Sequence, residues 1–371
     1  MALVGAVLAL VGATLLPFVE LRANRLVPGT AESLSAAGWL AVPVVLAIAA
    51  GFASAVAPWP TVRRRAAQVA GWALIGSLAW ALGAAAASLL EGAPAAARVS
   101  IGGGAWVMFA GGVVLATRAP RGTVAPALGV LAVVSALFWG DVSSLSLARE
   151  FAVRADSFWS LLGAHLALAG TSLLAGCVIG VPLGLWASRN ARMKAIVLTV
   201  TGVIETIPSL ALLGLLVVPL AALASAFPVL RELGIRGIGP APGFIVLTLY
   251  ALLPIVRNTY VGLSGVDPAV TDAGRGMGMT PLQLLARVEL PLAAPLIVDG
   301  IRTAAVLLIG ITALTVFAGA RNLGILIFEG LGQFAPDLIL LGALPTIALA
   351  VAADVALSAL GRAVTPKGVH A

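Results

Sequence analysis

The chain has 371 residues, of which 61% are hydrophobic and 10% are charged, and its mean hydropathy is +1.10. No soluble domain needs that much apolar surface, so the composition indicates a membrane protein, with length enough for two domains. The formal net charge is +7. The basic residues do not cluster with stacking aromatic residues, which argues against a nucleic-acid partner.

The cysteine and histidine content excludes further classes of protein. Cys177 is the single cysteine, so the chain has neither an internal disulfide nor a cysteine metal site. His165 and His370 are too few and too far apart in the sequence to predict a metal cluster. We therefore expect no metal and no cofactor.

Ten apolar runs follow along the chain, each close to the about 20 residues that a helix needs to cross a hydrocarbon core of about 30 Å. They predict an all-α, polytopic protein with about ten transmembrane helices in the lipid bilayer. Their approximate limits are 1–19, 39–58, 67–90, 101–117, 124–140, 160–187, 195–222, 242–262, 292–318 and 338–360.

The composition of the runs changes near residue 155. Residues 1–155 are predicted to form an N-terminal accessory membrane domain of about five alanine- and glycine-rich spans. Between the two halves, segment 141–157 has mixed charge and predicts a short external helix. Residues 156–371 hold five spans with more proline, and we expect them to form a second membrane domain.

The basic residues predict the orientation. With the N-terminus in the cytoplasm and alternating spans, 14 of the 22 Lys and Arg residues fall in inner loops against four acids, as the positive-inside rule requires. We expect a multi-pass inner-membrane protein with both termini cytoplasmic, and this places segment 267–291 in the cytoplasm. The inner basic residues are Arg63, Arg64, Arg65, Arg118, Arg121, Arg189, Arg192, Lys194, Arg257, Arg275, Arg287, Arg302, Arg362 and Lys367.

Segment 267–291 is too polar to cross a bilayer, although apolar runs flank it. Asp267 is placed to cap a first short helix, which ends in a glycine-rich elbow. Thr280 is placed to cap a second helix, and Gln283 completes a capping box with it. Pro291 is expected to end that helix. The segment therefore predicts two short helices on the membrane surface.

The spacing within this segment resembles the signature loop of ABC-importer permease subunits, which reads Glu-Ala-Ala, three residues, Gly, nine residues, Ile-x-Leu-Pro. Here Asp272-Ala273-Gly274 stands at the acidic triplet, Gly278 follows after three residues, and Val288-Glu289-Leu290-Pro291 follows after nine more. The resemblance implies a coupling loop, residues 267–291, that docks on cytoplasmic ATP-binding subunits. The residues implied in that contact are Asp272, Ala273, Gly274, Gly278, Leu290 and Pro291.

Segments 205–213, 249–260 and 317–327 resemble permeases of the glycine betaine/choline (osmoprotectant) uptake group, and the extra spans at the front resemble its Yeh-type branch. This resemblance implies a five-helix core of the type I importer permeases in residues 156–371. It also implies a second permease subunit, identical or different, and a periplasmic or extracellular substrate-binding protein. The residues implied in an external turn are Gly319, Asn322 and Gly324.

Several polar residues within the apolar runs are candidates for a transport pathway. Glu205 lies about ten residues into its run, where an ionisable group usually faces protein or water. The alternative is a carboxyl satisfied by Thr206 or by the backbone. Pro208 removes a backbone donor, and Thr206 and Ser209 are expected to satisfy the groups it frees. The pathway candidates are Glu205, Thr206, Pro208, Ser209, Tyr250 and Asn258.

Nothing in the sequence predicts an enzyme. A P-loop requires a glycine-rich turn followed by Lys and Ser or Thr, and neither Lys194 nor Lys367 follows such a turn. The prediction is a permease subunit that moves osmoprotectants such as glycine betaine or choline by alternating access, with ATP hydrolysis on a partner. The alternatives are another solute such as an amino acid, a proton-coupled carrier using Glu205 and Asp354, and a membrane scaffold.

Overall fold

The computed structural model describes residues 1–24, 27–117, 125–232 and 234–365. It divides into two compact units. Unit 1 comprises Met1–Ala155 and Gly330–Leu341, and unit 2 comprises Asp156–Glu329 and Gly342–Ala371. Unit 1 thus includes residues 330–341, which the sequence prediction assigned to the second domain. Arg118, Arg121 and Lys367, which were counted in the inner loops, lie outside the described residues.

Unit 1 is built mainly from helices that pack through small residues. A Cβ on Gly12 would lie 2.5 Å from the carbonyl oxygen of Gly104, and one on Gly5 would lie 2.8 Å from that of Gly111. The first and fourth helices therefore approach backbone to backbone, as small residues allow in membranes. The helices are α1 (Ala2–Thr14), α2 (Ala41–Val56), α3 (Pro60–Leu90), α4 (Gly103–Ala116) and α5 (Ala125–Trp139), with a 3-10 turn at Leu34–Leu40.

Unit 1 also contains a three-stranded antiparallel sheet, which the sequence analysis did not predict. Its strands are β1 (Val19–Arg22), β2 (Thr30–Glu32) and β3 (Arg98–Ile101), in the order β2-β1-β3. Val19 pairs with Glu32 on one side and with Ile101 on the other. Strands of three or four residues are too short to show a period of two in the sequence. The first apolar run accordingly ends as a helix at Thr14.

Unit 2 surrounds one buried helix. Its helices are α6 (Ser146–Arg189, from residue 156), α7 (Ala191–Thr206), α8 (Ser209–Ala226), α9 (Pro228–Glu232), α10 (Pro240–Ser264), α11 (Pro268–Gly276), α12 (Pro281–Leu284), α13 (Leu290–Thr312), α14 (Gly324–Gly332) and α15 (Pro336–Val364), the last two shared with unit 1. Val246, Leu247 and Ile255 of α10 are fully buried, together with Ala304 and Leu308 of α13. The pairing of α10 with α13 therefore forms the centre of the unit.

Within the described residues, seven helices are long and apolar enough to cross a bilayer. They are Leu34–Val56, Pro60–Leu90, Ser146–Arg189, Ser209–Ala226, Pro240–Ser264, Pro281–Ala318 and Pro336–Val364. Three more apolar helices, α1, α4 and α5, are shorter. The helical, polytopic fold is confirmed, whereas the count of ten spans is not.

Two boundaries differ from the sequence prediction. The run 195–222 is two helices rather than one, because the chain is extended at Ile207 and Pro208. The segment 141–157 is not a separate short helix. A 3-10 turn at Val142–Ser144 is followed by α6, which continues unbroken for 44 residues. No glycine or proline interrupts its first 17 residues, so the helix has no reason to stop there.

Candidate functional site: the coupling loop and a polar pocket

The coupling loop contains the two helices that the sequence predicts. The carboxylate of Asp267 accepts a hydrogen bond of 2.8 Å from the amide of Ala269 and caps α11. Thr280 Oγ1 accepts from the amide of Gln283 at 3.3 Å, and Gln283 Oε1 accepts from the amide of Thr280 at 2.9 Å. This is the predicted capping box of α12. Both helix starts are thus fixed by local hydrogen bonds.

The elbow between α11 and α12 depends on two glycines. Gly278 has a φ of +81°, in the left-handed region, where residues with a Cβ are disfavoured. Gly274 is buried, and a Cβ there would lie 2.6 Å from Leu284 Cδ1. Glycine in place of the pattern's alanine therefore lets α11 lie directly against the side chain of Leu284.

Pro291 does not end the second helix, contrary to the prediction. A π-helical turn at Leu285–Glu289 joins α12 to α13, and helix continues from Pro281 to Ala318. In that turn the amide of Leu290 bonds the carbonyl of Leu285, one residue further back than in an α-helix. Because the turn is wider, the proline ring avoids the carbonyl that it would otherwise meet. Leu290 and Pro291 therefore open the spanning helix α13.

An ion pair that the sequence did not predict ties the loop to α6. Arg189, the last residue of α6, donates to both carboxylate oxygens of Glu289, with Nη1 to Oε1 at 3.2 Å. The side chain of Glu289 is only 5% exposed, whereas that of Arg189 is 48% exposed. A buried carboxylate with a bidentate arginine is held in a fixed geometry. The two residues are 100 positions apart in the sequence. Their opposite charges and the basic turn at 189–194 were therefore the only sequence features that pointed to this pair.

The outer surface of the loop is exposed. Asp272, Ala273 and Gly278 are exposed. Within the described residues, Asp272 pairs only with Arg275 of its own helix, at 3.0 Å. Two large apolar side chains stand beside them, with Met277 72% and Leu282 73% exposed. The loop therefore presents a mixed apolar and charged surface to its surroundings. Such surfaces mark contacts with other molecules.

The break between α7 and α8 is closed by Tyr250 rather than by the predicted side chains. The hydroxyl of Tyr250, on α10, donates to the carbonyl of Ile207. Thr206 Oγ1 instead donates to Val203 O at 2.7 Å, within its own helix. Ser209 is the first residue of α8, directly after Pro208. Tyr250 thus satisfies the carbonyl exposed by the break, which explains its place on a buried helix.

Two of the pathway candidates meet in one pocket of unit 2. Glu205 and Asn258 line a pocket of about 350 Å³ with Arg257 and Thr303. Asn258 Nδ2 donates to Pro254 O at 2.9 Å. Glu205 and Arg257 are exposed, and neither has a hydrogen bond or ion pair within the described residues. The pocket therefore offers a free carboxylate and a free guanidinium, whereas Thr206, Pro208, Ser209 and Tyr250 do not line it.

A second group of charges has its own partners. Arg302 pairs with Asp299 on α13 at 3.3 Å and with Asp354 on α15 at 2.6 Å. Asp354 is therefore neutralised by an arginine on another helix, and it does not line the pocket that contains Glu205. This arrangement gives no support to a proton path using the two acids.

The predicted external turn is a buried, hydrogen-bonded structure. A 3-10 turn, Ala313–Ala318, ends at Gly319, whose φ is +87°. Asn322 is 0% exposed. Its Nδ2 donates to Thr315 Oγ1 at 2.9 Å, and its Oδ1 accepts from the amide of Gly324 at 2.7 Å. A Cβ on Gly324 would clash with the carbonyl of Ala313. Gly319, Asn322 and Gly324 thus build the turn and present no side chain to a ligand.

Apolar helices of spanning length, with an exposed polar loop between two of them, define the class as a multi-pass membrane protein. Residues 180–367 match the family described as the binding-protein-dependent transport system inner membrane component. The chain belongs to this family of transport components. Residues 1–148 match a second description, the N-terminal domain of the ABC transporter permease YehY.

Individual relatives match over more than half of the chain. A carnitine transport permease protein, OpuCB of Listeria monocytogenes, is 39% identical over 56% of this chain and 87% of its own length. A choline transport system permease protein, OpuBD of Bacillus subtilis, is 40% identical over 55% and 84%. The osmoprotectant import permease protein OsmW of Salmonella typhimurium is 40% identical over 57% and 93%. A solved structure of the MetNI methionine ABC transporter is 24% identical over 56% and 96%, with a TM-score of 0.49.

Proposed function

We propose that this chain is the permease subunit of an ATP-driven importer for osmoprotectants such as glycine betaine or choline. The observation that carries the proposal is the similarity to permeases named for choline, carnitine and osmoprotectants, at 37–40% identity over more than half of the chain. We further propose that residues 156–371 form a type I importer core and that residues 1–155 form an accessory membrane domain.

The coupling loop is the proposed contact with a cytoplasmic ATP-binding subunit, and this requires both termini to be cytoplasmic. The distribution of basic residues supports that orientation. The exposed side chains of Met277 and Leu282 support a docking surface. The pair between Arg189 and Glu289 links the loop to the end of α6, so a displacement of the loop reaches a spanning helix.

In the proposed mechanism, closure of two ATP-binding subunits moves the coupling loops of two permease subunits. The core helices then turn the central pathway from one side of the membrane to the other. The break at Ile207 and Pro208 lets α7 and α8 change their angle while Tyr250 holds the carbonyl between them. A substrate-binding protein delivers the solute at the outer face, and further along the pathway the pocket with Glu205 supplies a carboxylate for a cationic headgroup.

The cargo is tested by reconstituting the chain with its ATP-binding subunit and its substrate-binding protein in vesicles. We expect ATP-dependent uptake of labelled glycine betaine or choline. If only an amino acid is taken up, the assignment as an importer permease stands and the proposed cargo is wrong. Uptake that needs no ATP-binding subunit and collapses with an uncoupler would establish the proton-coupled carrier instead.

The coupling role is tested at Gly278 with two substitutions. Gly278→Val introduces a β-branched residue at a φ of +81°, and it should uncouple ATP hydrolysis from uptake while membrane insertion stays normal. Gly278→Asn is the matched variant, because asparagine tolerates this region. A Cβ at this position meets nothing within 4 Å among the residues that the structure describes, so a loss in both variants reports contact with a partner. Normal uptake by both would refute the docking role.

The pocket is tested separately by Glu205→Gln, which keeps the shape and removes the charge. We expect uptake of a cationic substrate to fall at least severalfold, because the carboxylate lines an open pocket and has no hydrogen bond or ion pair within the described residues. Asp299→Asn is the control, because it also removes one carboxylate from a spanning helix, at a position that does not line the pocket. Unchanged uptake by Glu205→Gln would exclude Glu205 from the mechanism.

A further inference from the structure

An open apolar groove runs between α2 and α3 of unit 1. It has a volume of about 770 Å³. Seven lining residues come from α2 and the turn after it, five come from α3, and Ser54 alone is polar. The hydroxyl of Ser54 donates to Gly51 O at 2.7 Å, so it offers the groove no free donor. The wall of the groove is therefore hydrocarbon along its length.

Small side chains create this groove. Ala47, Ala50 and Ala57 recur at helical spacing along one wall, and Ala66 and Ala70 stand on the other. From Pro43 to Ala57 the wall is about 21 Å long at a rise of about 1.5 Å per residue. One leaflet of a hydrocarbon core is about 15 Å thick. The groove is therefore longer than one leaflet and long enough for a single acyl chain, and both of its helices are of spanning length.

One end of the groove is strongly basic. Arg63 donates to the carbonyl of Ala57, a lining residue, through Nε at 3.2 Å and Nη2 at 2.9 Å. Arg64 and Arg65 are exposed and have no hydrogen bond or ion pair within the described residues. Trp59, 67% exposed in the connecting turn, is typical of a membrane interface. The arginines thus stand where a hydrocarbon groove meets the level of the headgroups.

No acidic residue near these arginines in the sequence balances their charge. The sequence contains no acid between Glu32 and Glu91. The first turn of α3 has no acidic residue and no side-chain cap, so three arginines lie beside the positive end of a helix. The comparable basic turn 189–194 differs, since Arg189 pairs with Glu289 and Lys194 lies 4.8 Å from the centre of the Tyr260 ring. An anion beside Arg64 and Arg65 would relieve this repulsion.

We propose that this groove binds one anionic phospholipid, with an acyl chain between α2 and α3 and the phosphate on Arg64 and Arg65. A lipid supplies both chemistries in one molecule, an apolar chain for the alanine walls and a negative charge for the arginines. An apolar helix from another protein would fill the groove and leave the arginines uncompensated. The site is independent of the coupling loop and of the osmoprotectant cargo.

The headgroup contact is tested with the full chain in nanodiscs, by measuring retained phosphatidylglycerol and phosphatidylcholine with native mass spectrometry. At about 1 kcal/mol per arginine, the double variant Arg64→Gln/Arg65→Gln should bind phosphatidylglycerol about 30-fold more weakly. Arg192→Gln/Arg362→Gln removes the same charge elsewhere and should change binding less than threefold. Equal losses in both variants, or equal retention of phosphatidylcholine by the unmodified chain, would overturn the proposal.

The acyl contact is tested by filling the groove. Ala50 lines the groove and is exposed, so Ala50→Phe should fill the groove from its open side and lower the retained phosphatidylglycerol severalfold. Val45→Phe adds bulk to the same helix at an exposed position outside the groove and should have no effect. A photoreactive residue at position 50 should give a lipid adduct. A peptide adduct, or undiminished lipid in Ala50→Phe, would contradict the proposal.

Discussion

The coupling loop and the external turn are two glycine-bearing interruptions between apolar helices of unit 2, and they use their polar residues in opposite ways. In the turn, Asn322 is fully buried and bonds to Thr315 and to the amide of Gly324. In the loop, the side chain of Asp272 is 70% exposed and forms an ion pair with Arg275 of its own helix. Both segments resemble a sequence pattern, so a pattern alone does not distinguish a buried structural turn from an exposed polar surface.

The difference lies in what the hydrogen bonds leave free. Both polar atoms of the Asn322 side chain form hydrogen bonds inside the turn. The turn therefore has a fixed shape, and the Asn322 amide is not available to a ligand. In the loop, the hydrogen bonds of Asp267 and Thr280 cap the starts of the two helices. The outer face of the loop is exposed to solvent. We expect substitutions in the turn to lower stability, and substitutions on the loop's face to lower coupling alone.

The largest effect on stability is expected for Gly324→Ala. The added methyl would overlap the carbonyl oxygen of Ala313, and both atoms belong to backbone that has little room to move. Overpacking of this kind costs about 3 kcal/mol, and here it also disturbs the bond from the Gly324 amide to Asn322. The thermal midpoint of the purified chain in detergent should fall, or folded protein should be lost.

Gly310→Ala is the matched control for that variant. Gly310 lies on α13, where an added methyl meets no described atom within 4 Å. Alanine also favours helix more than glycine does, so the midpoint should stay level or rise. Equal midpoints for Gly324→Ala and Gly310→Ala would show that the turn can rearrange and that its shape is not fixed by the Asn322 hydrogen bonds.

An intermediate effect is expected for Arg189→Gln, at the point where the loop joins the core. This variant leaves the carboxylate of Glu289 buried without its partner, at a cost of roughly 1–3 kcal/mol. Glu289→Gln removes the buried charge itself and should cost less. In the double variant the two losses should not add, because the residues are in direct contact. Additive losses in chemical or thermal unfolding would show that the pair contributes nothing.

The sequence predicted those features of the two segments that depend on neighbouring residues. Thr280 and Gln283 are three positions apart, so the capping box is encoded locally and is present. Asp299 and Arg302 are likewise three positions apart and form an ion pair. The apolar runs were recognised for the same reason, because each run carries its own composition.

Features that depend on distant residues were missed. The pairing of Arg189 with Glu289 and of Tyr250 with Ile207 requires helices to meet after the chain folds. The sheet joins strands up to about 80 residues apart, and each strand is too short to be recognised alone. The prediction that Pro291 ends the second helix was wrong, because a π-helical turn at Leu285–Glu289 accommodates the proline ring. No local residue pattern predicts such a turn.

The smallest effect on stability, and the sharpest test of the comparison, is expected for Asp272→Asn. Its ion pair with Arg275 is exposed on both sides, and exposed pairs contribute about 0.2–1 kcal/mol. Asp299→Asn is a close control, since Asp299 also pairs with an arginine three positions on but lies outside the loop. Both variants should keep the thermal midpoint. Only Asp272→Asn should lower the ATPase activity that the reconstituted permease supports, because only Asp272 faces the proposed partner. If both variants hydrolyse ATP and transport like the original chain, the exposed charge of the loop has no role in docking, and the contact must rest on Met277, Leu282 and the backbone at Gly278.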